Sequence, residues 1–195
     1  MHSQPSLPGI DVEPIPTDRL FFAIFPDTDT AASIEQFARS LREKHGLHGK
    51  LLATERFHIS LQPVGDFAGV PPDTLSMAGK AAGVAAAVTA PFEIVFDRAM
   101  SFAGQPGNYA FVLRGSNGDS TLVAFHQALG EAMERAGIKL KASHYTPHMT
   151  LLYGDRRIAE QMIEPVALRV REFVLVRSLI RRQQYVPLAR WPLLS

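Results

Sequence analysis

Phe57-His58-Ile59-Ser60-Leu61-Gln62 and, ninety positions later, Pro147-His148-Met149-Thr150-Leu151-Leu152 are the stretches from which the rest of the chain can be read. Side chains alternate between the two faces of an extended strand, so Phe57, Ile59 and Leu61 point one way while His58, Ser60 and Gln62 point the other. The second stretch sets His148 and Thr150 opposite Met149 and Leu151. On each polar face an imidazole and a hydroxyl stand two residues of rise apart, roughly 6.5 Å, and each such pair suits one phosphate. Of the seven histidines three have Ser or Thr two places on, the third being His144 in His144-Tyr145-Thr146. His58 and His148 each open an apolar run that ends at a glycine, Gly65 and Gly154, as a buried strand entering a turn does. Thr146 is followed by Pro147, which lacks a ladder donor and suits only a strand start, so His144 is set aside.

With 195 residues, 46% of them hydrophobic, the chain is long enough to bury one core, in a single domain or in two small lobes that share it. The absence of cysteine excludes disulfides and thiolate metal sites and fits a reducing compartment. No basic segment followed by an apolar one marks a secretory signal, and the Ala-rich run 78–90 is too short to span a bilayer. The expectation is a cytoplasmic protein with no membrane contact. The net charge of +1 conceals six Arg against one acid, Glu172, between Arg169 and Arg190. That segment should form a positive face for an anionic partner.

Residues 1–18 hold four prolines without periodicity and read as a flexible extension, leaving 19–195 as the folded domain. Strands are expected at Leu20–Phe25, Lys50–Ala53, the His58 stretch, Pro91–Ser101, Asn108–Arg114, the His148 stretch, Ala167–Ser178 and Leu179–Leu188. Helices are expected from a cap at Thr28 or Asp29 to Lys44, from Asp73 to Ala87, and from a cap within 117–119 to Ala136. Pro63–Pro72 reads as loop and Ile158–Ile163 as a helical turn closed by Pro165. A shift of ninety places the first strand, the first helix and His58 on Ala110–Gly115, the helix after Gly118 and His148. A duplicated strand-helix-strand unit follows. Two such lobes about a pseudo-twofold would bring the histidine strands together, with His58, Ser60, His148 and Thr150 in the cleft.

The doubled His-x-Ser/Thr-Leu, the opening Arg19-Leu-Phe-Phe-Ala-Ile-Phe-Pro26 and the closing Tyr185-Val-Pro-Leu-Ala-Arg-Trp-Pro-Leu193 resemble the two-histidine (2H) phosphoesterases. Within that superfamily the chain is most similar to the RNA 2′,3′-cyclic phosphodiesterases, also called 2′-5′ RNA ligases, over roughly Arg19 to Leu194. The resemblance implies an α+β fold of two pseudo-symmetric lobes, each an antiparallel sheet with flanking helices, and an active-site cleft between them. It also implies metal-free, cofactor-free opening of a 2′,3′-cyclic phosphate to a 2′-phosphate, with the reverse 2′-5′ ligation as a companion activity. Catalytic roles pass to His58 and His148, and phosphate contacts to Ser60 and Thr150. Where the bacterial branch usually carries Arg, five residues after the second His, this chain has Tyr153, as some other branches do. Tyr153 is therefore a candidate phosphate contact, and Arg181 and Arg182 are candidates for a borrowed positive charge.

Opening a cyclic phosphodiester needs a base for water, an acid for the leaving oxygen and donors for the non-bridging oxygens. Histidine titrates near neutrality and serves either proton role, and hydroxyl donors supply the stabilisation that phosphoryl transfer needs. On this reading His148 is the base and His58 the acid. The partner is then RNA or a nucleotide with a cyclic phosphate, and nothing points to an obligate protein partner. A metal site at His144 and His148 is disfavoured by Pro147 and by the lack of a nearby carboxylate. Two alternatives stay open. One is action on 2′-5′ linked oligonucleotides. The other is a non-catalytic RNA-binding module in which Arg171, Arg177, Arg181 and Arg182 hold phosphates and Tyr109 or Trp191 stacks on a base.

Overall fold

The first strand, β1 (Asp18–Ile24), is buried at every position but Arg19, because both of its faces are covered. Leu20, Phe22 and Ile24 face the main core, while Phe21 and Ala23 pack with Val174, Val176, Phe25 and Tyr185 on the other side. The structure, a computed structural model, describes residues 15–116, 120–141, 144–182 and 184–194. After β1 come α1 (Thr28–Lys44), a 3-10 turn (Thr54–Arg56), β2 (Ile59–Phe67), α2 (Pro72–Ala87), β3 (Phe92–Ser101) and β4 (Tyr109–Arg114). Then follow α3 (Ser120–Arg135), β5 (Met149–Gly154), β6 (Gln161–Val170), β7 (Glu172–Leu179) and β8 (Gln184–Pro192).

Local chemistry explains the helices. The Asp27 carboxylate caps α1 by accepting the Thr30 N–H at 2.8 Å, one position earlier than the expected cap. Ile34, Ala38 and Leu41 form its buried stripe, and Arg42 and Lys44 complement the negative end of its dipole. Pro72 opens α2, and the small buried Ala78, Ala81, Ala82, Ala85 and Ala86 let it pack closely against α3. That neighbour answers with Leu122, Phe125, Leu129 and Met133. The cap expected within 117–119 lies outside the described residues. No described helix is long and apolar enough to cross a membrane.

Eight antiparallel strands form one sheet in the order β6-β3-β4-β5-β2-β1-β7-β8. The fold is α+β, and its two expected sheets are the two halves of this one, meeting where β2 touches β5 through the single pair Ile59–Met149. β1, α1 and β2 correspond to β4, α3 and β5, which is the duplication legible at a shift of ninety. The outer strands are exchanged. The last two strands complete the half that contains β1, while β3 pairs with β4 and β6 closes that edge against β3.

Several boundaries differ from the sequence expectation. Thr17 and Asp18 belong to the sheet: the Thr17 N–H donates to the Phe67 carbonyl at 2.8 Å, and Asp18 begins β1. The folded region therefore starts before residue 19. β2 continues through Pro63 because the proline falls where the register to β1 slips and no ladder donor is required of it. Residues 161–170 form β6, not a helical turn. Pro165 is tolerated there because β6 is an edge strand, and the proline lies in the register break opposite Asp97. Arg171 divides the long strand expected from Ala167 to Ser178 into β6 and β7. Of the strand expected at Lys50–Ala53 only an isolated bridge, Leu51 with Leu152, is present.

Candidate active site

The pairing of Ile59 with Met149 fixes the centre of the site. Carried one step either way, the antiparallel register sets His58 beside Thr150 and Ser60 beside His148. Ile59 and Met149 are fully buried on the opposite face. The four polar side chains thus stand near the corners of a rectangle, roughly 5 Å across the strands and roughly 6.5 Å along them.

Each motif then contains one residue too many for regular pairing. In β5, Phe111 pairs with Leu152 and Val112 with Thr150, so Leu151 is the extra residue of a bulge. In β2, Phe21 pairs with Pro63 and Ala23 with Ser60, again leaving one surplus residue between them. Leu61 with Gln62, and Leu151 with Leu152, are therefore buried as consecutive pairs. Alternation resumes shifted by one, which turns Pro63 and Tyr153 toward the face that carries the histidines. Tyr153, 48% exposed, lines the same cavity as His58, Ser60, His148 and Thr150. Gln62, expected beside His58, is instead turned toward α3, where its amide donates to the His126 carbonyl at 3.0 Å. Gly49 lies against the Tyr153 backbone, and a Cβ there would come within 2.1 Å of the Tyr153 carbonyl oxygen.

Both imidazoles are held in the same way. His58 Nδ1 is 2.7 Å from the Arg56 carbonyl oxygen, and His148 Nδ1 is 2.8 Å from that of Thr146. A carbonyl can only accept, so each Nδ1 carries a proton and proton exchange is left to Nε2. His58 is enclosed by Phe21, Phe25 and Tyr185, with ring centroids 5.6, 5.8 and 5.2 Å away. Phe102 meets the His148 ring edge-on at 4.8 Å. Burial pushes the His58 pKa below the ordinary histidine value; its hydrogen bond to Arg56 opposes this, and the nearby charges of His148 and Arg56 add to it.

The cavity measures about 790 Å³. It also takes in Arg19, Arg56, Lys139, Lys141 and Tyr185, none of which the sequence reading named as a site residue. Arg19 is already engaged by Asp66 through two contacts of 2.8 and 2.9 Å. Arg56 stacks on Tyr185, its guanidinium carbon 4.9 Å from the ring centroid. Its position two residues before His58 is the one sequence clue to it. Arg181 and Arg182 are not brought to the site: they occupy the exposed turn between β7 and β8 and line neither large cavity. The strong pairing of β7 with β8 carries that turn to the end of the sheet. Arg177 is committed to Asp18 at 2.6 Å, and Trp191 packs on Phe22 and Phe173 in the core, so neither serves the role considered from sequence. His144 is exposed and the backbone from it to His148 is not helical, so the two do not share a helix face. Among the described residues no group of three or more His, Cys, Asp or Glu is arranged to hold a metal ion.

Comparison with known proteins bears on the family and the fold. The family model described as the 2′-5′ RNA ligase superfamily matches residues 26–179. Among solved structures, E. coli LigT complexed with 3′-AMP is similar at a TM-score of 0.67 and 25% identity, over 91% of this chain and 99% of that one. The same protein complexed with NADP+ gives 0.69 and 23%, with the same coverage. TT0787 of Thermus thermophilus gives 0.68 and 21%, over 90% of this chain and 97% of that one. Among curated proteins none matches the chain by sequence comparison.

Proposed function

This chain belongs to the 2′-5′ RNA ligase superfamily of two-histidine phosphoesterases, and from that premise we propose that it hydrolyses 2′,3′-cyclic phosphates, on RNA ends or nucleotides, to 2′-phosphates. The observation that carries the reading is the matched pair of imidazoles on one cavity wall. Each is fixed through Nδ1, has no hydrogen-bond partner at Nε2 among the described residues, and has a hydroxyl neighbour. That E. coli LigT has been solved with 3′-AMP and with NADP+ supports a ligand of nucleotide type.

The surroundings of His58 favour one division of the proton roles. His58, kept neutral by burial, is ready to accept, so it takes the proton of the attacking water at Nε2. His148 serves as the acid and gives a proton from Nε2 to O3′. The water oxygen bonds to phosphorus as the P–O3′ bond breaks, leaving a 2′-phosphate and a 3′-hydroxyl. This reverses the assignment expected from sequence, and its physical reason is the aromatic enclosure of His58. Ser60, Thr150 and Tyr153 donate to the non-bridging oxygens. A 5′-hydroxyl in the place of water would make a 2′-5′ linkage with the same groups. The two imidazoles supply both proton transfers, so the reaction requires no metal or cofactor.

Incubation with 2′,3′-cyclic AMP in excess chelator, followed by phosphorus NMR, tests the proposal. Adenosine 2′-phosphate is the expected product. A 3′-phosphate, or binding without turnover, would overturn it.

A further inference from the structure

Within the stretch His144-Tyr145-Thr146, set aside as a catalytic motif, Tyr145 lies at the seam between the two halves of the sheet. Pairing of β2 with β5 across that seam is limited to Ile59 and Met149. Continued by two residues, the same register would set Pro147 opposite Leu61, and a proline has no N–H with which to extend the ladder. A side chain bridges the gap instead. The Tyr145 hydroxyl donates to the Ser60 carbonyl oxygen at 3.0 Å, so the segment that leads into His148 is tied to β2 just beyond His58.

The ring of Tyr145 is fixed as well. It lies flat on the His126 imidazole of α3, with centroids 3.7 Å apart and planes 8° from parallel. His126 in turn accepts the Gln62 amide at its carbonyl, 3.0 Å away. Gln62 fits there because Gly130 leaves the space: a Cβ on Gly130 would lie 2.7 Å from the Gln62 amide nitrogen. These contacts run from Ser60 through Tyr145 and His126 to Gln62, so both ends of the circuit rest in the first histidine motif while Tyr145 belongs to the approach to the second. Thr146, next in the chain, is the residue whose carbonyl holds His148 Nδ1 at 2.8 Å. Whatever fixes Tyr145 therefore fixes that carbonyl and, through it, the imidazole.

We propose that Tyr145 is a positioning residue: its hydroxyl, locked on Ser60, sets the Thr146 carbonyl and thereby the direction in which His148 presents Nε2 to the leaving oxygen. The inference rests on the activity proposed above for the reaction that it serves. Tyr145 is not among the residues that line the cavity, so its loss leaves the contacts to substrate in place. A misdirected acid lowers the rate without weakening binding. Phenylalanine at this position keeps the ring that stacks on His126 and removes only the donor.

The test compares Tyr145→Phe with the native chain in two readouts, each taken well below the melting temperature of either protein so that loss of folded chain does not enter. With 2′,3′-cyclic AMP, kcat is expected to fall about tenfold while KM stays within about twofold. In imidazole nitrogen NMR, at a pH where the ring is neutral and with His148 assigned through His148→Ala, the native chain should show the single tautomer protonated at Nδ1 and the variant a mixture of both. An unchanged kcat, a fall in kcat matched by a rise in KM, or the same His148 tautomer in both proteins would overturn the positioning role. Absence of turnover by the native chain would count against the activity alone, and the tautomer comparison would then judge Tyr145 by itself.

Discussion

Ile59 and Met149 form the single register pair through which the two halves of the sheet are joined. Both side chains are fully buried, directly beneath the four polar groups of the cavity wall. Met149→Ala should cost about 2–5 kcal/mol of stability, as for other large core residues cut to Ala. Its kcat should fall as well, because the cavity left under the pair frees His148 to shift against Ser60. Urea titration and steady-state kinetics on the folded variant check both effects.

The two histidines should separate by leaving group. Replacing either His58 or His148 with Ala should slow hydrolysis of a cyclic substrate by at least about a hundredfold. With bis(4-nitrophenyl) phosphate the nitrophenolate departs without a proton. His148→Ala should then recover most of its deficit, while His58→Ala stays slow. Recovery by His58→Ala instead would exchange the two roles.

With His58 as the proposed base, its lowered pKa should set the acid side of the rate profile. A base works only when neutral, and a depressed pKa keeps it neutral to lower pH. The fall in kcat/KM on acidification should therefore lie below the ordinary histidine value of about 6.5. Replacing Phe25 with Ser, which admits water beside the ring, should move that limb upward. A pH profile of both proteins makes the comparison.

In the proposed mechanism Tyr153 contributes a single neutral hydrogen bond, so its loss should cost less than the loss of a proton carrier. Tyr153→Phe is expected to lower turnover by less than either His substitution. Tyr153→Arg should be accepted, since the side chain is half exposed at the cavity wall. Steady-state rates of the two Tyr153 variants and the two His variants on 2′,3′-cyclic AMP decide it.

Asp18 joins three parts of the first half: it accepts from Arg177, from Thr17 and from the Gly69 N–H. These contacts, the Arg177 bond foremost, hold its carboxyl below the usual carboxylate range. The stability they give is present at neutral pH, above the unfolded pKa, and is lost as pH falls through the lower folded value. Asp18→Asn should lower Tm by a few degrees at pH 7, and the gap to the native chain should narrow on acidification. Melting curves at several pH values are the measurement.

The repeat and the partners within it were readable because both rest on periodicity: the same element order at a shift of ninety, and an imidazole and hydroxyl at a spacing of two. What escaped was whatever a register break decides. Strict alternation turns Tyr153 away from His148 and leaves Gln62 beside His58. One surplus residue within each motif reverses both outcomes, and nothing local in Leu61-Gln62 or Leu151-Leu152 announces a bulge. Pro63 and Pro165 read as strand breakers, yet each sits where pairing is already interrupted. The basic C-terminal segment was recognised as a charged face, but strand pairing divides it. Arg181 and Arg182 end in a distant turn, Arg177 is bound to Asp18, and Arg169 and Arg171 reach a second cavity.

The exchange of outer strands bears on the order in which the molecule can be completed. β3 through β6 are consecutive in the chain, so that half can close as soon as Val170 has emerged during synthesis. β1 emerges early but waits for β7, more than 140 residues later, before its second edge is paired. Until then a strand of almost wholly apolar residues keeps an open edge, the condition that invites contact between nascent chains. The pairing of β1 with β7 is also the most distant in sequence, and it should set the slow phase of refolding. The half that is made first is finished last.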